Sequence, residues 1–382
     1  MPTSPALTTV PSTSSSDANK TPSQQFLNGS TAAGARALGT QIVAFYFRAP
    51  VKSFLRLRVD YMTVARAIRP PPVSEGWSFA STTPGLLYNA VKLHGWGFIP
   101  RQVLPPLFAN ATVGAILYTS YLQTLGVLHE ESKKQRKRVY PPPGVAATFA
   151  AGATAGAVQS VIAAPLDALV VRFNVQDMLQ GGYKSVYHYS RDKLIQIGVK
   201  GVWSGFALSF AKESLGYGLF FSSFEFVKQQ SYYRFISWLY SGPSESHPIT
   251  PHFLIEPSFL LLAGACASIT QQSIQYPLTK IQSIHYTQLE SLDYVRKTSG
   301  HDQTHPNYKS CYKKTWKQCL VHAKKAGGMR RWLWQGLFMN TVRQIPSTSA
   351  GLFVFEVFRR RYGEKSEEPT TVIVGERRLL LA

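Results

Sequence analysis

The residues that could do chemistry stand inside otherwise apolar stretches: Gln159, Asp167, Lys212, Glu213, Gln271, Gln272, Lys280 and Arg343. A base beside an acid, as at Lys212-Glu213, suits a ligand carrying both signs of charge, and equally suits mutual neutralisation. Patterns for bond-making chemistry are missing. The chain has no phosphate loop, nucleophile elbow, Cys-x-x-Cys or Rossmann glycine pattern. His301 and His305 with Cys311 and Cys319 lack the spacing of zinc ligands. The expectation is therefore no enzyme, no cofactor and no metal, and a polar interior that binds without reacting.

The elements that must hold such an interior follow from composition. The 382 residues include 41 Lys+Arg against 20 Asp+Glu, a formal net charge of +21. Only 16% are charged while 45% are hydrophobic, against roughly 25% charged in an average soluble protein. Three cysteines exclude a disulfide framework, and 22 Phe, 19 Tyr and 7 Trp exclude a wholly disordered chain. A mean hydropathy of −0.08 is low for helices that all face lipid, and suits membrane helices that each keep one wet face. The basic residues fall mostly in short connections such as 130–138, which fits an anionic lipid surface such as cardiolipin better than nucleic acid.

Residues 1–31 are Ser/Thr/Pro-rich and read as a disordered tail, without the Arg-rich pattern of a transit peptide. Six stretches then have the length of a membrane helix, at 32–58, 98–125, 144–176, 204–231, 257–286 and 336–361. Ionisable residues at such depth are costly and should face a bundle interior or a wet cavity.

Self-comparison organises these stretches. Ala151-Gly152-Ala153-Thr154-Ala155-Gly156 recurs as Ala263-Gly264-Ala265-Cys266-Ala267-Ser268, and Pro165-Leu166-Asp167 as Pro277-Leu278-Thr279, both 112 residues later (264 − 152 and 277 − 165). Trp203-Ser204-Gly205 returns as Trp334-Gln335-Gly336, and Phe224-Glu225 as Phe355-Glu356, both 131 later (334 − 203 and 355 − 224). The difference of 19 is one insertion, placed in the polar stretch 287–308. A weaker first copy begins at Ala33-Gly34-Ala35, with Pro50 as its proline and Tyr121 as its aromatic. The expected domains are repeat 1 at 32–125, repeat 2 at 144–231, repeat 3 at 257–361 and a C-terminal tail at 362–382. Small residues four apart, as at Gly152 and Gly156, let helix backbones approach closely in lipid. Pro50, Pro165 and Pro277 each remove a backbone hydrogen bond and should kink their helices at one depth.

In triplicate, a small-residue stripe, a Pro-x-Asp, a Trp-x-Gly and an aromatic-acid-x-x-base ending resemble the mitochondrial carrier family, over roughly residues 33–361. The resemblance implies an all-α membrane fold, with six transmembrane helices in three two-helix repeats about a pseudo-threefold axis and a central cavity. Segments 84–95, 186–199 and 309–326 would be short amphipathic helices on the matrix side. It implies matrix-side closure by acids and bases after each proline. Here the acid positions hold Lys52, Asp167 and Thr279, and the base positions Leu55, Val170 and Gln282, with Arg172 two residues further on matching a second basic position. One acid cannot make a three-way ionic ring. The implied cytoplasmic gate is better kept, at Glu225 with Lys228 and at Glu356 with Arg359.

Counting back eleven residues from Tyr121, Phe224 and Phe355 gives one level, Asn110, Glu213 and Gln344, with Lys212 and Arg343 one residue lower. In the family this level contacts substrate, so these five are the candidate solute-binding residues. The base-acid pair resembles that of its amino-acid carriers. Two functions follow. The first is transport of a small metabolite, amino-acid-like or a carboxylate, across the mitochondrial inner membrane by alternating access, as a monomer. The second is a carrier-shaped adaptor or membrane-shaping protein that does not transport, with the outer membrane as its alternative location, which the eroded matrix-side charges favour. Trp203, Trp332 and Trp334, near polar helix ends, read as interfacial anchors.

Overall fold

The computed structural model describes residues 65–66, 83–133, 141–171, 185–239, 252, 255–299, 308–342, 344–346, 370–374 and 377–381. The first expected membrane helix, with Pro50 and Lys52, lies outside the described residues, as do Arg172, Arg343, Glu356 and Arg359.

The described fold is helical up to Trp334: α1 Thr83–His94, α2 Leu104–Leu128, α3 Val145–Val171, α4 Val186–Val202, α5 Phe206–Glu225, α6 Tyr232–Leu239, α7 Ile255–Ser299, α8 Tyr308–Lys325 and α9 Met329–Trp334. Helical residues 337–342 and 344–346 follow. Among the described residues, two spans are long and apolar enough to cross a membrane, Ile99–Leu128 and Val145–Val170. A third joins Val186–Val202 to Phe206–Leu239 if that pair, bent by 77°, counts as one. α7 is too polar to pass the same test, because Gln271, Gln272, Gln275, Lys280 and Gln282 interrupt its apolar face.

α1, α4 and α8 coincide with the segments 84–95, 186–199 and 309–326 expected to be short helices. α4 starts where Ser185 accepts a hydrogen bond from the His188 backbone N–H at 3.2 Å, satisfying one of the donors a helix start leaves over. The chain then turns through Trp203-Ser204-Gly205, where the Trp203 and Phe206 rings meet edge to face at 4.7 Å. α5 runs into α6 through a π-helical segment, Phe226–Ser231. α8 turns Cys311, Thr315, Cys319 and Ala323 inward, one every four residues, while Trp316, Leu320 and Val321 stay exposed.

Consecutive long helices are neighbours: α2 lies on α3, α3 on α5 along most of its length, and α5 on α7. Their shared core contains Tyr121, Ala151, Ala155, Phe221, Phe224, Ala263 and Ala267. The Tyr121 and Phe221 rings stack with centroids 3.7 Å apart. The small residues of α3 are what allow the α3–α5 contact. A Cβ built on Gly152 would stand 2.5 Å from the Tyr217 carbonyl oxygen, and one on Gly156 would strike the Glu213 backbone. Ala263, Ala267 and Ser268, in the matching stripe on α7, are fully buried.

Two features extend the sequence reading. The stretch 287–299, expected as a polar insertion, continues α7, which at 45 residues and 1.5 Å per residue is about 67 Å long. That is twice a hydrocarbon core of about 30 Å. Within the C-terminal tail, Thr370–Val374 and Arg377–Leu381 pair as an antiparallel hairpin, with Thr370 opposite Leu381 and Val374 opposite Arg377. Neither prolyl residue breaks its helix: Pro165 lies within α3 and Pro277 within α7.

Candidate functional site

The site is built on the facing surfaces of α3, α5 and α7. On α7, Gln275 and Gln282 are seven residues apart, two helical turns, so both point at α5. On α5, Ser209, Lys212 and Glu213 recur at helical spacing and are all buried. On α3, Asp167 stands two residues past Pro165 and is half-buried.

These side chains form one connected set of hydrogen bonds. The Lys212 ammonium donates to Gln282 Oε1 at 2.6 Å and lies 3.2 Å from Glu213 Oε1. The Gln282 amide N–H group donates to Ser209 Oγ and to the Tyr286 hydroxyl, each at 2.6 Å. The Ser209 hydroxyl donates to Asp167 Oδ2 at 3.1 Å. Above them, Gln275 Nε2 lies 3.4 Å from both Glu213 Oε2 and the Lys212 carbonyl oxygen. A side chain on Gly216 would collide with Gln275, so that glycine is what admits the glutamine to the interface. One acid and one base on different helices are thus joined by two neutral side chains, in an interior where an unmet polar group costs about 1–3 kcal/mol.

A second polar set lies alongside. Gln272, fully buried on α7, donates to Gln344 Oε1 and accepts from Asn340 Nδ2 at 3.0 Å. Gln344 therefore joins the α7 interior, while Asn110 is buried on α2.

At the end of α5 far from the prolines, the buried Glu225 carboxylate accepts from Gln229 Nε2 at 2.6 Å. Lys228 Nζ sits 5.5 Å from the centroid of the Phe224 ring, a cation–π distance. Both Lys228 and Gln229 belong to the π-helical segment, where one extra residue per turn re-aims the side chains.

Lys280, which sequence reading placed inside a membrane stretch, reaches the carbonyl oxygens of Trp332 and Gln335 at 2.7 Å each. A cation on those last carbonyls of α9 is placed favourably against the helix dipole. Beyond it, the fully buried His285 has Nδ1 2.9 Å from Thr315 Oγ1 and Nε2 3.3 Å from the Ser204 carbonyl oxygen. Its ring lies against Tyr312, whose hydroxyl donates to the same carbonyl at 3.0 Å. This cluster ties α8 to the α4–α5 turn. Burial pushes the Tyr312 phenol above its ordinary 10.0 and raises the Cys319 thiol.

Of the residues singled out from sequence, the structure brings together Lys212, Glu213 and Asp167, and separately Gln344 with Gln272. Sequence reasoning passed over Ser209, Gln275, Tyr286 and Asn340, and took Gln282 only as the loss of an expected base. The available signal was the density of glutamine on α7: four between 271 and 282.

Comparison with known proteins bears on the family of the chain. The sequence profile of the family described as "Mitochondrial carrier protein" matches residues 141–234 and 256–366. A relative from Dictyostelium discoideum, "Mitochondrial substrate carrier family protein S", is 27% identical over 51% of this chain and 62% of its own length. The chain therefore spans less than two thirds of that protein. "Mitochondrial thiamine pyrophosphate carrier 1" of Aspergillus oryzae is 26% identical over 74% of this chain and 77% of its own. The "Mitochondrial basic amino acids transporter" of Rattus norvegicus is 25% identical over 47% and 49%.

Proposed function

The chain belongs to the mitochondrial carrier family, and from that premise we propose that it moves a small charged metabolite across the mitochondrial inner membrane by alternating access. Members of this family are transporters, so the protein is not an enzyme. The proposed architecture is six spans in three repeats, of which the 112-residue and 131-residue registers are the support.

The observation that carries the reading is the buried Lys212–Glu213 pair within a glutamine-lined interface between otherwise apolar helices. A base and an acid side by side can each take one end of an amino-acid-like solute. A solute carboxylate meeting Lys212 replaces the neutral amide oxygen of Gln282 with an ionised acceptor, which adds direct charge attraction to the hydrogen bond. Arg343, Gln344 and Asn110 complete the proposed site. Glu225 with Lys228 and Glu356 with Arg359 form the proposed gate at the cytoplasmic end, and Pro50, Lys52, Pro165, Asp167, Arg172 and Pro277 belong to the matrix end. The names of the relatives, one for thiamine pyrophosphate and one for basic amino acids, support charged solutes of either kind.

The second reading, a non-transporting adaptor, draws on the same geometry: Lys212 already has Glu213 and Gln282 as partners, so a static core would be satisfied without a solute. A thermal-shift screen of the purified protein against basic amino acids, carboxylates and thiamine pyrophosphate separates the two. A ligand that binds only the folded state raises the melting temperature with concentration. The carrier reading expects at least one such solute whose effect is lost in Lys212→Met, and an inert panel would favour the adaptor.

A further inference from the structure

The proline end of this protein lacks the charges for an ionic ring, yet it holds the chain Lys212, Gln282, Ser209, Asp167, each link contributed by a different helix from the last. We infer that Gln282 is a positioning residue that latches this end of α3, α5 and α7 shut. It does so by relaying the Lys212 charge on α5 to the Asp167 carboxylate on α3. The inference rests on the carrier reading above for its functional consequence, but its structural content stands on the distances.

The direction of every hydrogen bond supports a relay. An ammonium can only donate and an ionised carboxylate can only accept, so a bridge between them must accept at one end and donate at the other. A primary amide does so within one side chain. Gln282 turns its oxygen to Lys212 and its N–H group to Ser209, and the Ser209 hydroxyl passes the sense on to Asp167. Tyr286 takes the second amide proton, so the orientation of Gln282 is fixed from both sides. A lysine or arginine at position 282 would repel Lys212, so the neutral residue is what this interior requires. The base at the latch is therefore Lys212, one helix away from where the motif would put it.

The consequence is a coupling between site and closure. The amine that a solute anion would engage is the same amine that holds Gln282, so engaging it leaves Gln282 Oε1 without its donor and loosens the three helices together. The reverse also holds, because a coupling between two equilibria is reciprocal. The solute-binding level and the proline end would then be joined by one side chain rather than by a separate network of charges.

The test needs no solute. The cleft beside the relay is lined by Ala168 together with Asp167, Ser209 and Tyr286, and Ala168 is only 6% exposed. In the full-length protein in vesicles, the Ala168→Cys thiol is titrated with a membrane-impermeant maleimide, and the signal of the parent chain is subtracted. Gln282→Met removes both halves of the amide and should raise the labelling rate about tenfold, the equivalent of about 1.4 kcal/mol in the opening equilibrium. Gln282→Glu fills the same space and keeps an acceptor for Lys212 but has no N–H group for Ser209, so it too should accelerate labelling, which a merely space-filling role would not give. Ser209→Ala, which cuts the relay at its other joint and is small enough to fold, should also accelerate labelling. Unchanged labelling in both Gln282→Met and Ser209→Ala, or labelling of Gln282→Glu at the rate of the parent, overturns the latch. Because no transport is measured, a protein that moves no solute would reject the carrier reading while leaving this result to stand or fall by itself.

Discussion

Replacing Gly152 and Gly156 by alanine sets two physical effects of opposite sign against each other. Alanine is favoured over glycine inside a helix by about 1 kcal/mol, so each change would stabilise an isolated α3. The packing says otherwise. A Cβ on Gly152 would lie 2.5 Å from the Tyr217 carbonyl oxygen, where ordinary contact begins at 3.4 Å. The helices would have to separate by 3.4 − 2.5 = 0.9 Å at that turn. At Gly156 the obstacle is again backbone, the Glu213 carbonyl group, which cannot rotate away. Overpacking costs about 1–3 kcal/mol, and an immovable neighbour puts these sites at the upper end. About 3 less about 1 leaves about 2 kcal/mol per site, or about 4 for the pair. An unfolding entropy of about 2.1 cal/mol/K per residue is about 0.8 kcal/mol/K for 382 residues, so the double variant should melt about 5 °C below the parent. Gly144, just before α3 and with nothing within 4 Å of its Cβ position, is the control, and Gly144→Ala should move the midpoint by no more than about 1 °C. Melting is followed in detergent by circular dichroism. A double variant as stable as the parent, or more so, would refute the close approach of α3 to α5 and with it the placement of Glu213.

Other outcomes follow from single contacts. In proteoliposomes, Arg343→Ala should abolish uptake while leaving the protein folded, and Arg343→Lys should recover only part, since lysine cannot make the bidentate contact to a carboxylate. Glu213→Gln should reduce uptake only of solutes that carry a positive group, which a parallel assay of a basic amino acid and a dicarboxylate reads directly. Tyr312→Phe deletes the 3.0 Å bond to the Ser204 carbonyl and should cost about 0.5–1.5 kcal/mol. Because the folded-state Tyr312 holds its proton above the ordinary 10.0, the folded protein binds more protons than the unfolded one at alkaline pH. Its contribution is whole below that value and shrinks as pH rises past it, and Tyr312→Phe should remove that part of the alkaline decline. Cys319, buried and with its thiol raised, should react with maleimide far more slowly than half-buried Cys266 at neutral pH, as peptide mapping of the labelled protein would report.

Much of the fold was legible because repetition filters chance. Gly152 and Gly156 by themselves are a weak signal, but the same stripe before Pro277 fixed both helices in one register, and the packing of Gly152 on Tyr217 is what that stripe serves. The short helices at 84–95, 186–199 and 309–326 were expected from the family resemblance alone. Gln282 was not legible as a functional residue, because a neutral side chain in a basic position reads as loss, and its partner Lys212 lies 70 residues away on another helix. His285 was passed over for the same reason: its two partners, Ser204 and Thr315, are 81 and 30 residues distant. The continuation of α7 through Ser299 was hidden by polarity, which in a membrane frame suggests a connection although Gln288, Leu289 and Glu290 are good helix formers. The hairpin had a readable signature, β-branched Thr370 to Val374 and then Gly375-Glu376. A β signal in a chain framed as helical received no weight.

The most direct measurement is uptake by the purified, full-length protein in liposomes preloaded with unlabelled solute. The tracers are labelled L-arginine, a dicarboxylate and thiamine pyrophosphate, and parent and Lys212→Met are compared side by side. The account predicts saturable entry of at least one of the three by the parent. Lys212→Met should reduce it at least tenfold, as expected if a buried charged hydrogen bond of about 1.5–3 kcal/mol is removed. Equal entry in parent and Lys212→Met would contradict the site, and no entry of any of the three in the parent would contradict transport of these charged solute classes.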